Sequence, residues 1–131
     1  MNKRDTGGKM HQTVDVNLGA NILSANMRIA EMNRALLKKH GIKSVDFMGS
    51  IGSGKTLLIE KIIDKLKEKK KRCAVIAGDV AGDDDYRRFK KHGIDAINVN
   101  TDKECHLDAH LIDHALEKLD LENIDVLFIE N

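Results

Sequence analysis

Proline is absent from all 131 residues, where average usage of about 5% would give roughly six or seven. Turns must therefore rely on glycine, asparagine and aspartate, and no functional class follows from the absence. Aromatic residues make up only 3%, too few for the stacking platforms that hold single-stranded nucleic acid. Neither sign of charge dominates. With 22 basic against 21 acidic side chains, there is no field to draw nucleic acid or an anionic membrane. The apolar runs are strand-sized and none approaches a membrane span. Residues 1–8 lack the apolar stretch of a signal peptide. Two cysteines, Cys73 and Cys105, make no disulfide framework and fit a reducing cytoplasm. What is present, 41% hydrophobic and 33% charged, is a soluble globular balance with length for one core rather than two.

The periodicity alternates between helix and strand. Residues 1–12 show none and read as a flexible tail, leaving 13–131 as one domain. From residue 15 to 39 the apolar positions Ile22, Leu23, Ile29, Ala30, Leu36 and Leu37 give an amphipathic helix stopped by Gly41. A short strand at 43–48 runs into a glycine-rich loop, and Leu57, Leu58, Ile62, Ile63 and Leu66 mark a second helix over 56–70. Its basic end, Lys69-Lys-Lys-Arg72, suits a helix C-terminus and a solvated edge. Cys73-Ala-Val-Ile-Ala77 is a continuous apolar run, as expected of a buried parallel strand, and places Cys73 in the core. A short helix at 86–92 ended by Gly93, a strand at 94–99, a helix at 106–119 and a strand at 125–129 complete the pattern. The fold class is therefore α/β, a parallel sheet with helices on both faces. The sequence stops directly after the fourth strand, and a truncated domain is expected.

Gly49-Ser50-Ile51-Gly52-Ser53-Gly54-Lys55-Thr56 fits the pattern of a phosphate-binding P-loop. Glycines let the loop turn its N–H groups toward an anion without a side chain in the way. The helix that follows points its positive end at the same charge. Lys55 can reach terminal phosphates and the Thr56 hydroxyl can ligate magnesium. An apolar strand leads in and an amphipathic helix leads out, the context the chemistry requires. Asp79 and Glu130 end the second and fourth strands, so both are expected at the P-loop edge of the sheet. Carboxylates there can bind Mg2+ or orient a hydrolytic water. Asp85, in the acid-rich loop between, has either that role or that of a helix cap.

Cys105 and His106 are adjacent where the third strand joins the fourth helix. A thiolate beside an imidazole suits zinc or nickel, and a two-fold interface would double the pair to four ligands. The alternative is a buried structural cysteine beside a capping histidine. His106, His110 and His114 fall on one helical stripe, either a second metal face or a polar surface. His11, His40 and His92 are isolated in sequence and carry no functional reading.

Together the P-loop and the Cys-His pair resemble the hydrogenase nickel-incorporation GTPases, the HypB family of accessory proteins. The matching stretches are Asp46-Phe-Met-Gly-Ser-Ile-Gly-Ser-Gly-Lys-Thr56, Ile76-Ala-Gly-Asp-Val80, Lys103-Glu-Cys-His-Leu-Asp-Ala-His110 and Leu127-Phe-Ile-Glu-Asn131. The resemblance implies a P-loop NTPase fold and a homodimeric, cytoplasmic GTPase. Such a protein helps deliver nickel to the large subunit of a nickel-iron hydrogenase, alongside other maturation proteins. It also implies that Gly49, Ser50, Ile51, Gly52, Ser53, Gly54, Lys55 and Thr56 hold the phosphates of GTP. Lys55, Asp79 and Asp85 would be catalytic, and Thr56, Asp79 and Glu130 would serve Mg2+. Cys105 and His106 would bind Ni2+ or Zn2+ at the dimer interface. The urease nickel-insertion GTPases are similar in the P-loop but separate their cysteine and histidine by one residue.

Four features depart from the family pattern. Asp102 stands where glycine is common. The family's further metal-binding cysteine and its guanine-reading Asn-Lys-x-Asp motif would fall past Asn131. The cysteine-rich N-terminal nickel motif of some members is missing. Two rivals follow: a P-loop small-molecule kinase, and a metal-binding or dimerisation module without catalysis.

Overall fold

A computed structural model describes residues 3–50, 53–79, 84–100 and 108–131. The order is α1 (Lys3–Lys39), β1 (Lys43–Phe47), α2 (Lys55–Glu68), β2 (Cys73–Asp79), α3 (Asp84–Lys90), β3 (Asp95–Asn100), α4 (Ala109–Glu117), a 3-10 turn (Leu121–Asn123) and β4 (Val126–Glu130). The four strands are all parallel, in the order β1-β4-β2-β3.

β2 and β4 lie in the middle, which explains their continuous apolar sequences. Alternate side chains of a strand point to opposite faces, and here both faces are covered. Ala74, Ile76, Leu127 and Ile129 pack against Leu37 of α1 and Leu116 of α4. Val75 and Phe128 pack on the other side against Ile59 and Ile63 of α2 and Phe89 of α3. Helices therefore flank the sheet on both faces, as the βα alternation implies.

Phe89 has no solvent exposure and is the main apolar anchor of the short α3. Phe89→Ala is expected to cost about 3–5 kcal/mol through lost contacts and a residual cavity, read as a lower midpoint in urea unfolding.

Two helix boundaries correct the sequence reading. α1 begins at Lys3 rather than near residue 15, so residues 3–12, read as a tail for want of periodicity, are helical. Extending an existing helix adds one hydrogen bond per ordered residue, and this needs no apolar stripe. α4 begins at Ala109 rather than at residue 106. The cause is Asp108, extended at φ −96° and ψ 173°, whose Oδ1 accepts from the Leu111 N–H at 2.9 Å. That N-cap sets where the helix starts.

Helix ends follow glycines in two of the four helices, α1 at Gly41 and α3 at Gly93. Gly41 has φ +68°, and Ile42 N–H donates back to Leu37 O at 2.9 Å, closing α1. At the end of α2 the same left-handed position is held by Lys70, with φ +61°. A lysine there costs about 1–2 kcal/mol of local strain, and no local pattern marks the position. Opposite the P-loop edge, Arg72 donates to both oxygens of Asp125 at 3.2 Å and ties the amino ends of β2 and β4. The guanidinium holds the Asp125 carboxyl at about 2.

Candidate phosphate and magnesium site

The P-loop leaves the carboxyl end of β1, where β1 borders β4. Phe47 of β1 pairs with Glu130 of β4, and Glu130 also pairs with Ala77 of β2. The parallel register thus brings the loop, Glu130 and the end of β2 to one edge, where open α/β sheets bind ligands.

α2 starts without a side-chain cap. Gly54 occupies the N-cap position at φ +92°, a conformation glycine adopts without a Cβ penalty. The first N–H groups of α2 are therefore left for an anion. Lys55 folds back over the loop, its Nζ donating to Gly49 O at 2.8 Å. Gly49 is closely covered: a Cβ there would lie 2.9 Å from Ser53 Oγ and 3.5 Å from Lys55 Cδ. Of the expected cradle, Ile51 and Gly52 lie outside the described residues.

Thr56 and Glu130 form the centre of the site. Both are buried, at 8% and 2% exposure, and the Thr56 hydroxyl donates to Glu130 Oε1 at 2.8 Å. Lys55 Nζ stands 4.0 Å from the same oxygen. Glu130 Oε2 is buried without a hydrogen-bond partner among the described residues. Burial, then the facing Asp85 carboxyl, push the Glu130 pKa up to about 7; the Thr56 hydroxyl and the Lys55 charge pull it partly back. Two carboxyls brought together in a dry site is the arrangement a divalent cation relieves.

Asp85 belongs to the first turn of α3, whose first residue is Asp84, so it faces Glu130 from within the helix. Asp79 ends β2 two residues beyond the partner of Glu130; its side chain lies outside the described set. Asn131, next to Glu130, donates from Nδ2 to Asp46 Oδ1 at 2.8 Å and from its N–H to Phe47 O at 2.9 Å, fixing β4 beside β1. Sequence reading missed that tie, for which Asp46 in the strand before the P-loop was the available signal.

Cys105 and His106 lie outside the described residues. Of the histidine stripe, His110 and His114 are on α4 with their Nε2 atoms 3.1 Å apart. No cluster of three or more metal-ligating side chains occurs among the described residues. Cys73 is buried in β2 as expected, and burial pushes its thiol pKa up. No helix among the described residues is long and apolar enough to cross a membrane.

Comparison with known proteins agrees with this geometry. Residues 44–131 match the family model described as CobW/HypB/UreG, nucleotide-binding domain. The chain is 58% identical over 122 residues to the probable hydrogenase maturation factor HypB of Methanocaldococcus jannaschii, covering 93% of this chain and 55% of that protein. It is 42% identical over 110 residues to the Escherichia coli hydrogenase maturation factor HypB, covering 84% of this chain and 38% of that one. The crystal structure of HypB from Archaeoglobus fulgidus superposes with a TM-score of 0.72 at 45% identity, over 82% of this chain and 52% of that one. HypB from Helicobacter pylori in complex with nickel gives 0.73 at 34%, over 81% and 50%. The chain spans between 38% and 55% of the length of these relatives. With a P-loop, a buried Thr56–Glu130 pair and this matched span, the chain belongs to the CobW/HypB/UreG family of nucleotide-binding proteins, and the relatives it matches are hydrogenase maturation factors named HypB.

Proposed function

We propose that this chain is the nucleotide-binding part of a GTPase that handles nickel during hydrogenase maturation. The observation that carries the reading is the buried contact between Thr56, which follows the P-loop lysine, and Glu130 at the end of a neighbouring strand. Two polar groups sunk at a sheet edge, one oxygen lacking a partner among the described residues, fit a site completed by ligand.

Lys55 exchanges its bond to Gly49 O for a bond to the terminal phosphate. The N–H groups at the start of α2 donate to the same anion. Asp85, with Asp79, orients a water in line with the γ-phosphorus. That water forms a new P–O bond as the bond to the β–γ bridging oxygen breaks, giving GDP and phosphate. Glu130, Thr56 and the aspartates are hard oxygen donors and fit Mg2+, held by Thr56 and Glu130. When bound, the ion would supply positive charge that neutralises the charge developing on the phosphates. The wet test is phosphate release from Mg2+–GTP by the purified chain; label transferred to a metabolite instead of water would return the kinase reading.

Nickel is the cargo. Cys105 and His106 are its ligands in this reading, a borderline-soft pair that also suits zinc, completed by a second copy in a homodimer. The nickel-bound Helicobacter pylori relative supports the choice of metal. The recipient is the large subunit of a nickel-iron hydrogenase, reached with other maturation proteins in the cytoplasm. Cys105→Ala is expected to weaken nickel or zinc binding by the dimer at least about tenfold, or 1.4 kcal/mol. Competition against a chromophoric chelator measures it, and equal affinity removes the claim.

A further inference from the structure

α3 is seven residues long, far below the length at which an isolated helix persists in water. Its position must come from tertiary contacts, and these lie at both ends. At its start, Asp85 faces Glu130, an apposition that costs energy whenever both carboxyls are ionised. Phe89 anchors the middle. Just past its end, His92 is joined to α2 through both ring nitrogens: Nε2 to Glu60 Oε2 at 2.8 Å and Nδ1 to Asp64 Oδ1 at 2.9 Å. Glu60 and Asp64 are one helical turn apart and so share a face. An imidazolium offers one N–H to each. Arg88 of α3 pairs with Glu60 Oε1, and Lys67 of α2 donates to the carbonyl of His92. The His92 ring and Glu60 are mostly covered, at 19% and 18% side-chain exposure, so water screens their pair less than a surface one.

The geometry points to His92 as a positioning residue for the phosphate site: the imidazolium between Glu60 and Asp64 pins the end of α3 to α2, and so keeps Asp85 facing Glu130 beside Thr56. The inference rests on the triphosphate reading of that site. α2 supplies Thr56 at its first turn and the two carboxylates further along, so one helix carries both the site hydroxyl and the partners of the pin. Without the pin, repulsion between Asp85 and Glu130 is relieved by α3 swinging away.

The pin is also sensitive to pH. The hydrogen bond to Glu60 is the largest influence on His92 and raises its pKa; partial burial lowers it, and Asp64 adds to the rise. The charged groups facing His92 from α2 are Glu60, Asp64 and Lys67, and from α3 Arg88. A raised pKa means the pin is fully formed below the ordinary histidine value of about 6.5 and is lost as pH rises through the raised one.

The test is GTP affinity of the whole chain, measured with Mg2+ and with EDTA, in wild type, His92→Ala, His92→Gln and Lys55→Ala. His92→Ala is expected to lower the gain in affinity that Mg2+ brings by about fivefold or more, close to 1 kcal/mol, with affinity in EDTA within about twofold. His92→Gln, which keeps an N–H for Glu60, restores part of the gain. Hydrogen exchange at the α3 amides of the nucleotide-free chain quickens in His92→Ala. An unaltered magnesium gain, an equal loss in EDTA, or unaltered α3 exchange overturns the pin alone. Unaltered GTP affinity in Lys55→Ala overturns the phosphate reading, and the pin with it.

Discussion

Lys55→Ala abolishes useful triphosphate binding: titration with Mg2+–GTP is expected to give an affinity on the order of a hundredfold weaker or worse. Losing one partner of a desolvated, hydrogen-bonded charge pair costs about 2–5 kcal/mol, and about 3 kcal/mol is already two decades. The fold itself should hardly notice. Without ligand, the ammonium donates to the carbonyl of Gly49 and stands 4.0 Å from Glu130 Oε1, at the outer edge of ion-pair range, so thermal unfolding of the variant is expected to shift only slightly. Equal GTP affinity in a folded Lys55→Ala chain sinks the P-loop assignment.

Glu130→Gln separates stability from magnesium binding. The Glu130 carboxyl has its pKa raised from 4.5 to about 7. For an acid this is a destabilising shift. The unfolded chain ionises freely, and the folded chain must bury that charge. The cost is absent below about pH 4.5, grows between 4.5 and 7, and is complete above that. Its full size is on the order of 3 kcal/mol. Nucleotide-free wild type is therefore expected to lose stability across this window in urea unfolding, whereas Glu130→Gln does not. The amide keeps an oxygen for the Thr56 hydroxyl and gains an N–H for Asp85. The same change removes the negative charge a cation needs, so Mg2+ no longer strengthens GTP binding. A variant less stable than wild type at pH 8, or one that keeps its magnesium dependence, overturns the reading of Glu130.

Both variants act on residues that sequence spacing had picked out. Lys55, Thr56 and Glu130 were legible because a P-loop has fixed chemistry and because parallel strands end on one edge. Register made that inference exact in space: Phe47, Glu130 and Ala77 lie side by side. The choice left open for Asp85, between helix cap and site carboxylate, is a different case. It depended on where α3 begins, and the chain starts that helix at Asp84.

His92 shows what spacing could not reveal. It stands 28 residues from Asp64 and 32 from Glu60, and a lone histidine in sequence looks like surface. The available signal was the carboxylate pair at i and i+4 on α2, which marks a face but not its partner. The starts of α1 and α4 were also misread, one because helix propagation needs no apolar stripe, the other because the cap at Asp108 was overlooked.

By itself, the sequence determined the α/β alternation, the phosphate loop and the carboxylates at the strand ends. Each of these rests on local chemistry or on a short repeat period. Strand order β1-β4-β2-β3, the burial of Thr56 against Glu130 and the pinning of α3 by His92 were decided only in the tertiary structure. Those contacts join residues 28 to 74 positions apart, and their energies depend on which surfaces packing brings together and dries, a quantity no local pattern carries.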